Sequence, residues 1–593
     1  VQLNKSVVFG SGNNVSTAVD SLLLGHENLI TSGENNIISG NDNKSTIDKN
    51  TILSGKLNET EGAIRSFITG LNNTVKNTEQ TIVGGHNNIL EDNVNLSVSG
   101  LLNNIKESGD SVISGQSNNV DFTENTAIFG DSNVSNKIIN SIISGYNNEV
   151  DDTGASIISG YENKVFDVSQ VSVFGESNDI SGNTKYSLVS GLNNKEQNGS
   201  QNTLLGKNHD VRDTSGRIVQ GLNNKERMGN NNLISGSSHD VINTTNTTVL
   251  GKENNVINNN VSLMIGNNIT STDNTASFIV GQNITSTNNN TTVVFGSHVV
   301  KDSLNILLAG TLHDVDTENG TIVSGNSNTI SNGTNNNVSG RDHTIDNSQS
   351  GIISGNANTI NNSSSSIISG QGNKEKDSNR NAIFGSLNDI DNNDNSIISG
   401  NTVISKNVNN SLVSGKTVTN EDGNENIILG KNLIVKDTDY TIITGISNEV
   451  LNQRGGAIFG ENHKVTLNSK RTAITGLNNE DNNGQQNFIT GKLNKTTDCS
   501  NVALFGSLNE ASGNTVNSLV AGNSNSDFNG QNNFIVGQNN EALDSNQSLL
   551  LGETNKSINN KNLFLSGSIN DISGTDSLIV SGVNNLVKNV DNT

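Results

Sequence analysis

The chain has 593 residues and contains no proline, no tryptophan and a single cysteine. Aromatic residues make up 3% and hydrophobic residues 31% of it. A globular enzyme of this length buries thick cores and needs more large apolar side chains. Low hydrophobicity with net charge is also a signature of disorder, but disordered chains are usually proline-containing and do not space Val and Ile regularly. The lone Cys499, in the polar stretch "KTTDCSN", excludes an intrachain disulfide and a cysteine metal cluster, and is read as incidental rather than catalytic. No apolar run approaches the roughly 20 residues of a membrane-spanning helix. No signal peptide is visible and the first residue is Val, so targeting and anchoring parts are expected to lie outside these residues. Basic excess is missing too: 58 acidic residues face 35 basic ones, a formal charge of −23. That balance argues against a nucleic-acid partner, whose phosphates are neutralised by Lys and Arg, and against contact with an anionic membrane.

What is present is a repeat. "NSIISGYNNEV" (140–150) returns fifteen residues later as "ASIISGYENKV" (155–165). The glycine of this motif, as in Gly10, Gly25, Gly40, Gly145, Gly160, Gly355 and Gly400, occurs 39 times at a fifteen-residue period. Four intervals deviate, each by one residue. No linker interrupts the series, so residues 1–593 read as one continuous repeat domain without stalk, neck or membrane anchor.

Two residues before the glycine lies an anchor position that is Val, Ile or Leu in every copy but Met264; Val8, Ile38, Ile113, Ile143, Ile158, Ile353 and Ile398 are examples. Five residues after it, at a closing position, Val and Ile are commonest. A fifteen-residue unit is too short for a helical hairpin repeat. β-branched residues in "SIISG", then alternation in "xxNxV", read as two short strands meeting at the glycine, a corner that glycine can form because it tolerates positive φ. Stacked coils of this kind make an all-β, parallel β-solenoid. At about 4.8 Å per coil, 39 coils would give a rod on the order of 190 Å long.

Three residues after the glycine stands a rung position. It is Asn in 28 copies, as in Asn13, Asn28, Asn118, Asn148, Asn163, Asn178 and Asn358. It is His at His209, His239, His313, His343 and His463, and aliphatic at Ile269, Ile284, Val299, Val403, Val418 and Leu433. In five of those six coils the closing position turns polar (Ser271, Ser286, Lys301, Ser405, Asn420), as if one apolar anchor had moved along an inward face of limited volume. The swaps favour a buried ladder of stacked amides over the alternative, an Asn in a left-handed turn. The histidines read as members of that ladder; an ion site is the other reading, should copies of one His meet near a symmetry axis.

The first strand also carries a second pattern. Phe stands just before the glycine at Phe9, Phe129, Phe174, Phe295, Phe384, Phe459 and Phe505, each with a smaller residue two positions earlier (Val7, Ala127, Ser172, Val293, Ala382, Ala457, Ala503). Where Phe takes the earlier place, as at Phe67 and Phe278, the later residue is Thr69 or Val280. Bulk traded in this way implies packing, so the first strand is expected to be buried on both faces, one of them against another copy of the chain.

At this point "NSIISGxxNxI" resembles the head repeat of the YadA-like trimeric autotransporter adhesins, whose usual form is "NSVAIGxxSxAxG". Here Val, Ile or Leu replaces the family's Ala, and Asn its Ser. The resemblance implies a left-handed β-roll, a homotrimer and an adhesive or spacing role on a bacterial cell surface. No phosphate-binding loop, calcium nonapeptide or acid/base pair stands out, and neither enzymatic activity nor a cofactor is expected. Two other readings remain open: a solenoid that polymerises end to end through uncapped coils, and a glycan- or ice-binding solenoid, for which threonine rows and aromatics are too sparse.

Overall fold

The computed structural model describes residues 2–591, apart from 48, 92, 108, 317, 318, 348, 433, 438, 448, 452, 453, 463, 466–469, 483, 514, 545, 546, 560, 563, 567, 578, 580 and 585. His463 and Leu433 lie outside the described residues. The chain divides into two compact units, Val1–Val294 and Phe295–Thr593. Each is an all-β parallel solenoid, and together they supply about 35 turns. Among the described residues there is no helix.

One coil shows how the sequence makes the turn. The first strand, Ile142–Tyr146, pairs in parallel with Ile157–Tyr161 of the next coil, Gly145 opposite Gly160. The second strand, Glu149–Gly154, pairs with Lys164–Ser169, again with a fifteen-residue offset. Around the coil the chain passes through Gly145 at φ 126° and through left-handed residues at Asn147, Asp152 and Ala155. Asn and Asp tolerate that conformation better than most residues, which accounts for much of the composition. A Cβ on Gly145 would lie 1.9 Å from the Gly160 carbonyl oxygen, so close stacking of corners requires glycine.

Five positions per coil point inward: in this coil Ser141, Ile143, Asn148, Val150 and Thr153, all buried. The same holds for Ile38, Ile113, Ile158, Ile353 and Ile398 among the anchors. Val8 departs from the expectation at 39% exposure, because its strand, Val7–Phe9, is paired on one side only, with Leu22–His26. The corner glycines Gly10, Gly25, Gly40, Gly160, Gly355 and Gly400 all have positive φ, between 110° and 152°.

Candidate functional site: the faces of the solenoid

The rung asparagines form the expected ladder. Asn148 Nδ2 donates to Asn133 Oδ1 (2.9 Å), the Gly160 carbonyl (3.1 Å) and the Ser144 carbonyl (3.3 Å). Its Oδ1 accepts the Asn163 backbone N–H at 3.1 Å. Asn28, Asn118, Asn163 and Asn178 repeat this arrangement. Asn13 begins it half-buried, donating to the Gly25 carbonyl. Asn358 donates to the Ser354 and Gly370 carbonyls. The left-handed turn position is the preceding residue, Asn147, not the rung.

Histidine replaces the amide atom for atom. His209 directs Nε2 at the Leu205 carbonyl (3.0 Å) and offers Nδ1 to the Asn224 N–H (3.4 Å). His239, His313 and His343 do the same in their coils. A carbonyl facing Nε2 and an N–H facing Nδ1 fix the neutral tautomer and leave no lone pair for a metal. Burial holds all four below the ordinary imidazole range.

The aliphatic rungs resolve into two cases. At Ile269, Ile284, Val403 and Val418 the side chains are buried, and the two strands merge into one of ten residues, as in Leu263–Thr272 and Ile397–Lys406. Their glycines open to φ 149–152°, and backbone pairing carries on across the corner, Ile269 opposite Ile284. Ser271 and Ser286 are then interior and accept from Asn259 and Asn274. Val299 is a correction. The following interval is one residue short, and His298 takes the rung: its Nε2 lies 2.7 Å from the Phe295 carbonyl and its Nδ1 accepts the His313 N–H. The rings of His298 and His313 stack at 4.6 Å. Val300, not Lys301, closes that interior, and Lys301 is exposed.

The first strand is buried on one face only in the chain alone. Ile142 and Ile157 are 45% and 41% exposed, and Phe129 is 42% exposed. Phe9, Phe174, Phe295, Phe384 and Phe459 are exposed as well, and Phe505 is half-buried against Phe488. The traded bulk therefore lines an open apolar face, not an interior. In register, residues three before the glycine stack on one another from coil to coil (Ile142 on Ile157; Ile352 on Ile367), so each unit carries such a stripe.

Sequence reasoning missed the buried acids. Glu196, Glu226, Glu375, Asp481 and Asp527 occupy the closing position and are fully buried. Glu375 Oε1 accepts from Ser366 Oγ and Asn381 Nδ2, both at 2.9 Å, and burial pushes its carboxyl up to about 7. Glu196 is held the same way by Ser187 and Asn202, and burial raises it and Asp481. Glu226 lies against the buried guanidinium of Arg217. Asp481 accepts from Asn487 and the Cys499 thiol, which burial and the nearby carboxylate push upward. Cys499 is thus buried rather than displayed. Each acid is preceded by a polar spacer and followed six residues on by Asn, a spacing visible in the sequence.

For a metal, one group among the described residues brings ligand atoms within 4.8 Å of one another: His26, Glu27 and Asp42, at neighbouring corners and largely open to solvent. No family model matches the chain, and no curated protein matches it in sequence.

Proposed function

We propose that the chain is a non-enzymatic, extracellular fibre element that self-associates through its first-strand sheets, in the manner of a trimeric adhesin head on a bacterial surface. The observation that supports this reading is the open apolar stripe along the first strands. A soluble chain has no reason to expose Ile, Leu and Phe coil after coil on one face while trading their bulk between adjacent positions. Adhesion to a receptor would fall to the polar corners and second strands, which the association leaves in solvent.

Sedimentation equilibrium tests the association. A multiple of the 62.5 kDa chain mass is the expected result, three chains by the proposed architecture; a monomer at micromolar concentration removes it. Ile142→Lys with Ile157→Lys and Ile352→Lys with Ile367→Lys should release monomers with unchanged β-sheet circular dichroism.

A further inference from the structure

A solenoid of near-identical coils has an ordering hazard. If one coil loops out, the coils on either side can still pair, because anchors stack on anchors and asparagines on asparagines. Something must distinguish the next coil from the one after it.

Two outward rows of the second strand do so. The residues four after the glycine include Glu149, Lys164, Asp179, Lys195, Asp210, Lys225 and Asp240 in seven successive coils. They include Glu449, Lys464, Glu480, Lys495 and Glu510 in five others. Along this whole row fourteen pairs of neighbouring coils carry two charges, and all fourteen are opposite in sign. The row six after the glycine runs Glu61, Lys76, Glu91, Lys106, Asp121, and later Lys376, Asp391, Lys406, Glu421, Lys436. Two neighbour pairs at this offset are alike: Arg212 and Arg227, where Arg212 is taken up by Asp210 in its own strand at 2.7 Å, and Asp302 and Asp316, where Val300 closes the shortened coil, so that Lys301 rather than Asp302 stands one past the closing position. With 58 acidic and 35 basic residues, placement blind to sign would leave roughly half of such neighbours alike.

The alternation is realised as contacts between consecutive coils: Lys44–Glu59 at 2.5 Å, Lys76–Glu91 at 3.2 Å and Lys495–Glu510 at 3.3 Å. Glu149–Lys164 and Glu421–Lys436 follow at 3.7 Å. Such exposed pairs are individually weak. Their sum across a row is set against its opposite if a coil is skipped, which would place Glu149 beside Asp179 and Lys164 beside Lys195.

The interior repeats the logic. Each buried acid is bracketed by the Asn six residues on, which belongs to the next coil: Glu196–Asn202 (2.7 Å), Glu226–Asn232 (2.7 Å), Glu375–Asn381 (2.9 Å), Asp481–Asn487 (3.3 Å) and Asp527–Asn533 (2.7 Å). Skipping that coil would exchange Asn487 for Val502 beside Asp481, and Asn232 for Thr247 beside Glu226.

We propose that the alternating charge rows and the buried acid–asparagine brackets form a coil-order code, which admits pairing between consecutive coils and rejects pairing between coils one apart. The test refolds the full chain from denaturant and reads the mis-ordered fraction as a second population in hydrogen-exchange mass spectrometry. One variant neutralises the row of seven (Glu149→Gln, Lys164→Gln, Asp179→Asn, Lys195→Gln, Asp210→Asn, Lys225→Gln, Asp240→Asn). A second inverts every sign in it. The neutral variant should show a several-fold larger mis-ordered fraction, and the inverted variant should refold like the parent. The unaltered chain provides an independent arm, because 1 M salt shortens screening to about 3 Å. Its mis-ordered fraction should rise with salt. A neutral variant that refolds as cleanly as the parent, an inverted variant as disordered as the neutral one, or an unaltered chain indifferent to salt would each overturn the proposal.

Discussion

Asparagine meets two different backbone needs within a single corner. Asn147 takes the left-handed conformation that turns the chain, while Asn148 supplies the hydrogen bonds that the tight turn leaves wanting. Asn148→Ala should therefore cost about 2 kcal/mol through buried groups left without partners, and should speed exchange of the Asn163 amide in particular. Titration follows from the same burial. The rung histidines have depressed values, His298 to about 4 from an ordinary 6.5, so the folded state binds fewer protons than the unfolded one between those limits. Their contribution is complete above pH 6.5 and is lost as pH falls through the folded values. His298→Asn should accordingly flatten the acid limb of a stability–pH curve measured by urea denaturation. Glu375 works in the opposite sense. Its value is raised from 4.5 to about 7, so its contribution is complete below pH 4.5 and is lost as pH rises through 7. Glu375→Gln should be near neutral at pH 4.5 and stabilising by about 2 kcal/mol at pH 8; an equal effect at both pH values would contradict the assignment.

At the scale of the coil, the rung residue decides what the closing position must be. Beside a rung Asn the closing side chain fills space and is usually Val or Ile. Beside Ile269 it is Ser271, whose hydroxyl serves Asn259 and Asn274. One substitution at one position should then have two signs. Ser135→Val, next to the rung Asn133, replaces a buried hydroxyl that has no hydrogen-bond partner, adds buried apolar area and should stabilise by about 1 kcal/mol. Ser271→Val removes the hydroxyl that accepts from two buried amides, Asn259 and Asn274, and should destabilise by about 2 kcal/mol. Thermal melts of the two variants decide the matter. What was legible in the sequence divides along the same line. The anchors, corner glycines and rung asparagines could be read because one residue type recurs at one offset for one physical reason. The left-handed corners were hidden because Asn, Asp, Ser, Glu and Leu all occupy them, as at Asn147, Asp152, Ser117, Glu162 and Leu57. His298 was hidden by the single shortened interval that follows its glycine. The charge rows were hidden because Lys164 and Asp179 look like scattered surface residues until their coils are laid in register. Traded bulk on the outer face of the first strand signals contact, and its exposure in the single chain leaves that contact to another copy, as the expectation had it.

At the scale of the molecule, a chain of net charge −23 carries apolar stripes, and the two features make opposite demands on association. The alternating rows are close to self-neutralising, so the uncompensated acids repel a second copy in every orientation that brings chains together. The stripe of Ile, Leu and Phe favours association without regard to charge. Added salt screens the repulsion and leaves the apolar term intact. The proposed self-association should therefore tighten as sodium chloride rises from about 10 mM, where the screening length is about 30 Å, to 1 M, where it is about 3 Å. If chains instead met through their charge rows, each Lys of one row against an acid of another, the same salt would drive them apart. Sedimentation velocity across that range separates the cases by sign. A mass average that falls with salt would move the interface from the first-strand sheet to the second, and with it the surface left free for adhesion.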